Sequence, residues 1–227
     1  MSEPVAISPG FFGKVRTHGD FVSRRLPPAF IEPWDDCLQK GMLFAQKLFG
    51  AQWLPVYLNA PVWRFALGAG ACGSLAWVGV LMPGVDQVGR YFPFTIAAPL
   101  EGGALVDWLT GARRWFDVAS QLALSTLADD FALERFDAAL SAAELAQTGA
   151  EALPWAGTVV DETGASEAFA ERLVTSMTPA RSAWWSDGSD AVPGTLRIGA
   201  GLPDERRFAS LLDVPCPGWE WIGTRQA

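Results

Sequence analysis

The sequence predicts an α/β chain built on a mixed, largely antiparallel sheet with helices on both faces. Three observations predict it. Helical and strand-like runs alternate along the chain, the pattern of a sheet covered by helices. Residues 75–82 are apolar on both strand faces, with Leu75, Trp77 and Leu81 set against Ala76, Val78, Val80 and Met82. A strand of that kind is covered on both sides. Finally, the strand-like runs at 60–67 and 75–82 are joined by a turn too short for a parallel crossover, so at least that pair is antiparallel.

Taken in order, residues 10–27 carry glycines and mixed charge, which argues for turns around a short strand. Residues 33–49 read as a helix. Pro33 suits a first helical position, Asp35 and Asp36 complement the dipole there, and Gly50 is a natural stop. Trp34, Cys37, Leu38, Gly41, Met42, Ala45, Leu48 and Phe49 follow the spacing of one apolar face. Residues 60–67 alternate, with Pro61, Trp63, Phe65 and Leu67 on one side and Val62, Arg64 and Ala66 on the other. A third strand is expected over Phe92 to Ala98. Residues 104–127 are helical by pattern, with a stripe of Leu105, Leu109, Ala112, Phe116, Ala119, Ala123 and Leu127. Residues 131–147 follow as a helix with Leu133, Phe136 and Leu140 aligned, and Ser141-Ala142-Ala143-Glu144 could start a fresh one as a capping box. Residues 148–164 read as a connection and 166–177 as a helix capped by Ser166. Strands are expected at 182–185 and 194–198, separated by turn residues from Asp187 to Gly194, and a short helix at 203–212. Trp219 and Trp221, two apart, would share one strand face.

The 227 residues are expected to form one domain, 1–227, with no linker and no internal repeat. A globule of this length buries roughly 70% of the surface of its unfolded chain, enough for a core without staples. Half the residues are apolar, which argues against disorder. The formal net charge of −8 repels phosphate backbones, so no nucleic-acid partner is expected. Residues 65–85 are free of charge, but their glycines and Pro83 divide them into two strands, so no membrane insertion is expected. Cys37, Cys72 and Cys216 show neither disulfide nor zinc spacing. With His18 the sole histidine, a two-histidine metal site is excluded and any Ser-His-Asp triad must run through it. Residues 1–10 lack the features of a secretory signal, and a cytoplasmic setting is expected.

Most motifs that suggest chemistry fail on context. Gly68-Ala69-Gly70-Ala71-Cys72-Gly73 has the dinucleotide-binding spacing, yet a strand rather than a helix follows, so a hairpin turn is the better reading. Gly10-Phe11-Phe12-Gly13-Lys14 misses the phosphate-loop spacing, with Ser8 and Val15 at the required Gly and Ser/Thr positions. His18-Gly19-Asp20 could pair an imidazole with a carboxylate for acid–base work, but no nucleophile elbow accompanies it; a turn with Asp20 capping backbone N–H groups is favoured. Arg64, inside an apolar strand, needs a partner, and Asp20 and Asp86 are the candidates. Arg90 is the second unusual arginine. Of eleven tryptophans most belong to the core; Trp184-Trp185 would place one indole in the core and one outside as an interaction anchor.

Several blocks carry a resemblance. Gly10-Phe11-Phe12-Gly13-Lys14 through His18-Gly19-Asp20-Phe21-Val22 resembles the opening of the TagF (ImpM) family, accessory proteins of the bacterial type VI secretion system. Ala60-Pro61-Val62-Trp63-Arg64-Phe65 continues it, and Gly79 to Asp86 followed by Val88 to Thr95 carries it most strongly; Ser182-Ala183-Trp184-Trp185 matches a further element. The resemblance implies a three-layer α/β/α sandwich. It also implies a cytoplasmic, non-enzymatic regulator without cofactor, which represses secretion after translation by contacting the system's forkhead-associated (FHA) scaffold protein. Some relatives are fused to a phosphatase domain, for which 227 residues leave no room. It supplies no catalytic residue. On this basis the N-terminal turn, the loop 83–90 and the Trp184-Trp185 element are expected to converge. His18, Asp20, Arg64, Asp86, Arg90, Trp184 and Trp185 are then the protein-binding candidates. The alternatives are a structural subunit of the secretion machine and a small-molecule- or nucleotide-binding enzyme using His18 and Asp20.

Overall fold

The structure is a computed structural model of the chain and describes residues 8–100, 105–143, 157–190, 192–213 and 218–226. The first half runs β1 (Gly10–Gly13), β2 (Val22–Arg24), α1 (Pro28–Phe49), α2 (Trp53–Leu58), β3 (Trp63–Leu67), β4 (Ala76–Met82), β5 (Phe94–Leu100), α3 (Leu105–Gly111), α4 (Arg113–Ser125) and α5 (Leu133–Ala142). The second runs β6 (Thr158–Asp161), β7 (Ser166–Ala168), α6 (Phe169–Ser176), β8 (Arg181–Gly188), β9 (Pro193–Ala200), α7 (Glu205–Leu212) and β10 (Trp221–Gln226).

All ten strands form one sheet in the order β2-β1-β5-β4-β3-β8-β9-β10-β6-β7. The expected mixed sheet is corrected: every pairing among the described residues is antiparallel. Neighbours come from hairpins and meanders, which reverse direction at each turn. The two long crossovers, β2 to β3 and β7 to β8, join strands that point the same way but have three others between them. Read inward from either edge, each half follows one path of hairpin, helix and three-stranded meander, and the halves meet at β3–β8. The sequence shows no internal repeat, but the strand order does.

The period-2 alternation sends side chains to two cores. On one face Trp63, Phe65, Leu67, Trp77 and Trp184 pack with Phe30, Trp34, Leu38 and Met42 of α1 and Phe208 and Leu211 of α7. On the other, Val78, Val80, Phe94, Ile96, Trp185 and Ile198 pack with Leu109 of α3, Phe116 of α4, Phe136 of α5 and Phe169 of α6.

Several element boundaries move. α1 starts at Pro28, five residues before the expected Pro33, which lies inside the helix. Pro28 serves the first turn equally well, and the earlier start buries Phe30 in register with Trp34. Gly50 stops the helix at φ 53°, with its N–H on the Gln46 carbonyl. The expected helix over 104–127 breaks at Ala112 into α3 and α4; the stripe from Leu105 to Ala123 is buried, while Leu127 lies beyond α4 and is exposed. Ser166 caps no helix: it opens β7, and α6 begins after Ala168. β6 occupies residues expected as a connection. Trp219 and Trp221 do not share a strand face, because β10 begins only at Trp221; they pack into opposite cores. The capping box that needs Glu144 lies outside the described residues.

Candidate functional site

The blocks at 10–22 and 79–95 fold into one clamp. Gly13 leaves β1 at φ 142°, where an added Cβ would meet the backbone of Pro93 and Phe94. The chain then turns, with the His18 N–H on the Val15 carbonyl at 3.2 Å and the Phe21 N–H on Asp20 Oδ1 at 2.8 Å. Opposite lies the loop from β4 to β5. A Cβ at Gly84 would meet the carbonyls of Phe92 and Lys14, so backbone packs on backbone there. Buried Tyr57 of α2 donates its hydroxyl to the Gly84 carbonyl at 3.0 Å and accepts the Gly84 N–H at 2.8 Å.

Asp86 closes the clamp. Its side chain has no exposed surface. Oδ1 accepts the backbone N–H groups of Val88 at 3.1 Å and Arg90 at 2.8 Å; Oδ2 accepts Lys14 Nζ at 2.8 Å and Arg90 Nε at 2.7 Å. Burial alone would raise the Asp86 carboxyl, but the hydrogen bonds from Lys14 and Arg90 outweigh it and hold it well below the usual carboxylate range. The loop is then tied to the turn: Arg90 Nη2 donates to the Gly19 carbonyl and the Gln87 N–H to the His18 carbonyl. Phe21 stacks on Phe12 at 5.4 Å and meets the Phe92 edge at 4.9 Å, with Lys14 Nζ 5.1 Å from its ring centre. The outer surface exposes Asp20, Arg90, Phe21 (42%) and Val88 (68%), with His18 half-buried.

Four of the seven sequence candidates, His18, Asp20, Asp86 and Arg90, therefore stand together. The other three stand elsewhere. Arg64 is buried and pairs with Asp117 of α4 at 3.0 Å and Asp187 of β8 at 2.6 Å, not with the expected Asp20 and Asp86. Arg64 points to the α4 face of the sheet, where those carboxylates are. Burial pushes the Asp187 carboxyl up, but the charges of Arg64 and Arg225 bring it below its ordinary value. The expectation that one of Trp184 and Trp185 is exposed is corrected: they are 1% and 0% exposed. β8 is central and covered on both sides, so Trp184 stacks on Trp34 at 5.8 Å while Trp185 meets Phe116 at 4.8 Å on the other face. The expected convergence of three elements is thus a convergence of two.

Three residues of the clamp escaped the sequence reading: Lys14, Phe21 and Val88. A signal existed for Lys14, since a buried carboxylate needs a cation. Exposure of Phe21 and Val88 has no sequence signal. Cys37 sits beside the α1 core, with its thiol pushed by burial to about 12 and donating to the Pro203 carbonyl at 3.1 Å. The glycine motif at 68–73 lies in the reversal between β3 and β4. Among the described residues no group of three His, Cys, Asp or Glu could hold a metal ion, and no helix is long and apolar enough to cross a membrane. Chemically, the clamp offers a fixed surface with one oriented guanidinium and two exposed apolar side chains.

Comparison with known proteins places these features. A family model described as the TagF N-terminal domain, type VI secretion system-associated, matches residues 10–143. The crystal structure of PA0076 from Pseudomonas aeruginosa PAO1 is similar at a TM-score of 0.75 and 36% identity, over 93% of this chain and 96% of that one. No curated protein matches significantly.

Proposed function

We propose, because this chain belongs to the TagF family of type VI secretion-associated proteins, that it is a post-translational negative regulator acting by contact with the system's FHA scaffold protein. The observation that carries this reading is the clamp around Asp86. It locks the loop 83–91 onto the turn 14–21 and holds His18, Asp20, Phe21, Val88 and Arg90 in one fixed outer surface. A fixed surface loses little freedom on docking, which suits recognition of a partner. In this reading the protein works in the cytoplasm by binding alone, without cofactor or catalytic step. The two cores are the two interfaces of a three-layer α/β/α sandwich that carries the platform. The scaffold is held inactive on the platform, and threonine phosphorylation elsewhere in the pathway relieves it.

The test is a secretion assay in a strain carrying the cognate cluster. Overproduction of the wild-type chain is expected to lower effector release without changing the level of the scaffold, and the scaffold is expected to co-purify. Val88→Asp, at an exposed position, is expected to restore release. Release unaffected by overproduction, with co-sedimentation on sheath or baseplate, would replace the regulator reading with a structural subunit. A nucleotide that raises the melting temperature would replace it with the enzyme reading built on His18 and Asp20.

A further inference from the structure

We infer that Arg90 is an anion-capture contact that takes a carboxylate from a partner segment, while an apolar side chain next to that carboxylate seats on Phe21 and Val88. The inference rests on the docking reading above and adds the chemistry of what docks.

Arg90 carries five N–H donors. Nε is spent on Asp86 and one Nη2 hydrogen on the Gly19 carbonyl. The remaining three have no partner among the described residues, and the side chain is 58% exposed. The guanidinium is held from behind by a fully buried carboxylate, so its rotamer is set before anything binds. A planar guanidinium with N–H groups left over on an exposed side chain can match the two oxygens of a carboxylate.

The charges around Arg90 decide between anions. With Lys14 and Arg90 set against Asp86 and the exposed Asp20, the clamp carries no net charge within a chain of net charge −8. The Asp20 carboxylate therefore repels a phosphate, at −1.5 to −2, more than a carboxylate of one negative charge. Arg16, the next cation along the turn, is engaged with Asp129 and the Leu127 carbonyl. The apolar half is as well defined: Phe21 is fixed by Phe12 and Phe92, and Val88 is fixed at the loop tip by the Asp86 carboxylate on its N–H. An arginine next to exposed apolar groups has the make-up of an interface centre.

The experiment selects short random peptides displayed on phage against the full chain. The best binder is then measured by calorimetry, together with its acid-to-amide variant. The expected peptide carries Glu or Asp beside an apolar residue. Its amide variant binds roughly tenfold more weakly or worse, added salt weakens the acidic form, and Val88→Ser lowers affinity while the melting temperature holds. Because the amide change is made on the peptide, the clamp is left intact. Peptides without an acid, an amide variant of equal affinity, or enrichment of no peptide that responds to Val88→Ser would each overturn the inference. The FHA scaffold titrated in parallel keeps the two readings apart. Acid-dependent peptides with no scaffold binding would retire the scaffold and leave the anion site. Scaffold binding with acid-independent peptides would do the reverse.

Discussion

Asp86 shows how one residue can stand at the centre of a matching block without being a contact. Its burial is tolerable only because four donors satisfy it. The pH consequence has a definite sign. The folded carboxyl titrates below its unfolded value of about 3.9, so the stability it contributes is fully present above that value and is lost as pH falls through the folded one. Asp137 and Asp187, also lowered, act in the same direction. Urea titrations between neutral and acid pH should therefore show Asp86→Asn less stable at pH 7 but with a shallower acid loss than wild type; an equally steep loss would remove Asp86 from the account. Tyr57 is the neutral counterpart. Tyr57→Phe takes the acceptor from the Gly84 N–H and one of two donors from the Gly84 carbonyl, which keeps the Phe92 N–H, and a loss of about 1–3 kcal/mol in the same denaturation measurement is expected.

Among the elements, the helix pair α1 and α7 is the clearest test of packing against propensity. Gly41 lies in mid-helix, where Gly→Ala ordinarily gains about 1 kcal/mol. Here an added Cβ would clash with Cγ of Phe208 in α7, and overpacking costs about 1–3 kcal/mol. Gly41→Ala should lower the urea midpoint, and Phe208→Leu in the same chain should recover part of the loss. Elements were legible wherever periodicity had length to work with. The buried stripes of α1, from Trp34 to Ala45, and of α4, and the two-sided β4 follow from spacing, but Leu48, expected on the α1 stripe, and Leu75, expected to open β4, are exposed. Their ends were not legible, because Pro28 and Pro33 are equally acceptable openings and only burial of Phe30 decides between them. Short β6 and β7 leave too few residues for a pattern. In the candidate site the loop–turn pair was legible as glycine-rich blocks. Which charge meets which was not, since Arg64 chose carboxylates 53 and 123 residues away.

The whole molecule is a single continuous sheet, which sets the meaning of the family match. The matched segment ends at residue 143, yet β3 inside it is paired on one side by β4 and on the other by β8 of the second half. Cut there, β3 becomes an apolar open edge. A fragment of residues 8–143 should therefore elute as dimers or aggregates on size exclusion. The full chain should unfold in one calorimetric transition; a stable monomeric fragment would show that the two halves do not depend on the shared sheet.

If the surface fixed by Asp86 is where the FHA scaffold docks, isothermal titration of the purified scaffold will give one-to-one binding to wild type and an affinity lower by roughly tenfold or more, about 1.4 kcal/mol, for Val88→Asp at an unchanged melting temperature. Equal affinities for the two proteins would put the docking surface elsewhere.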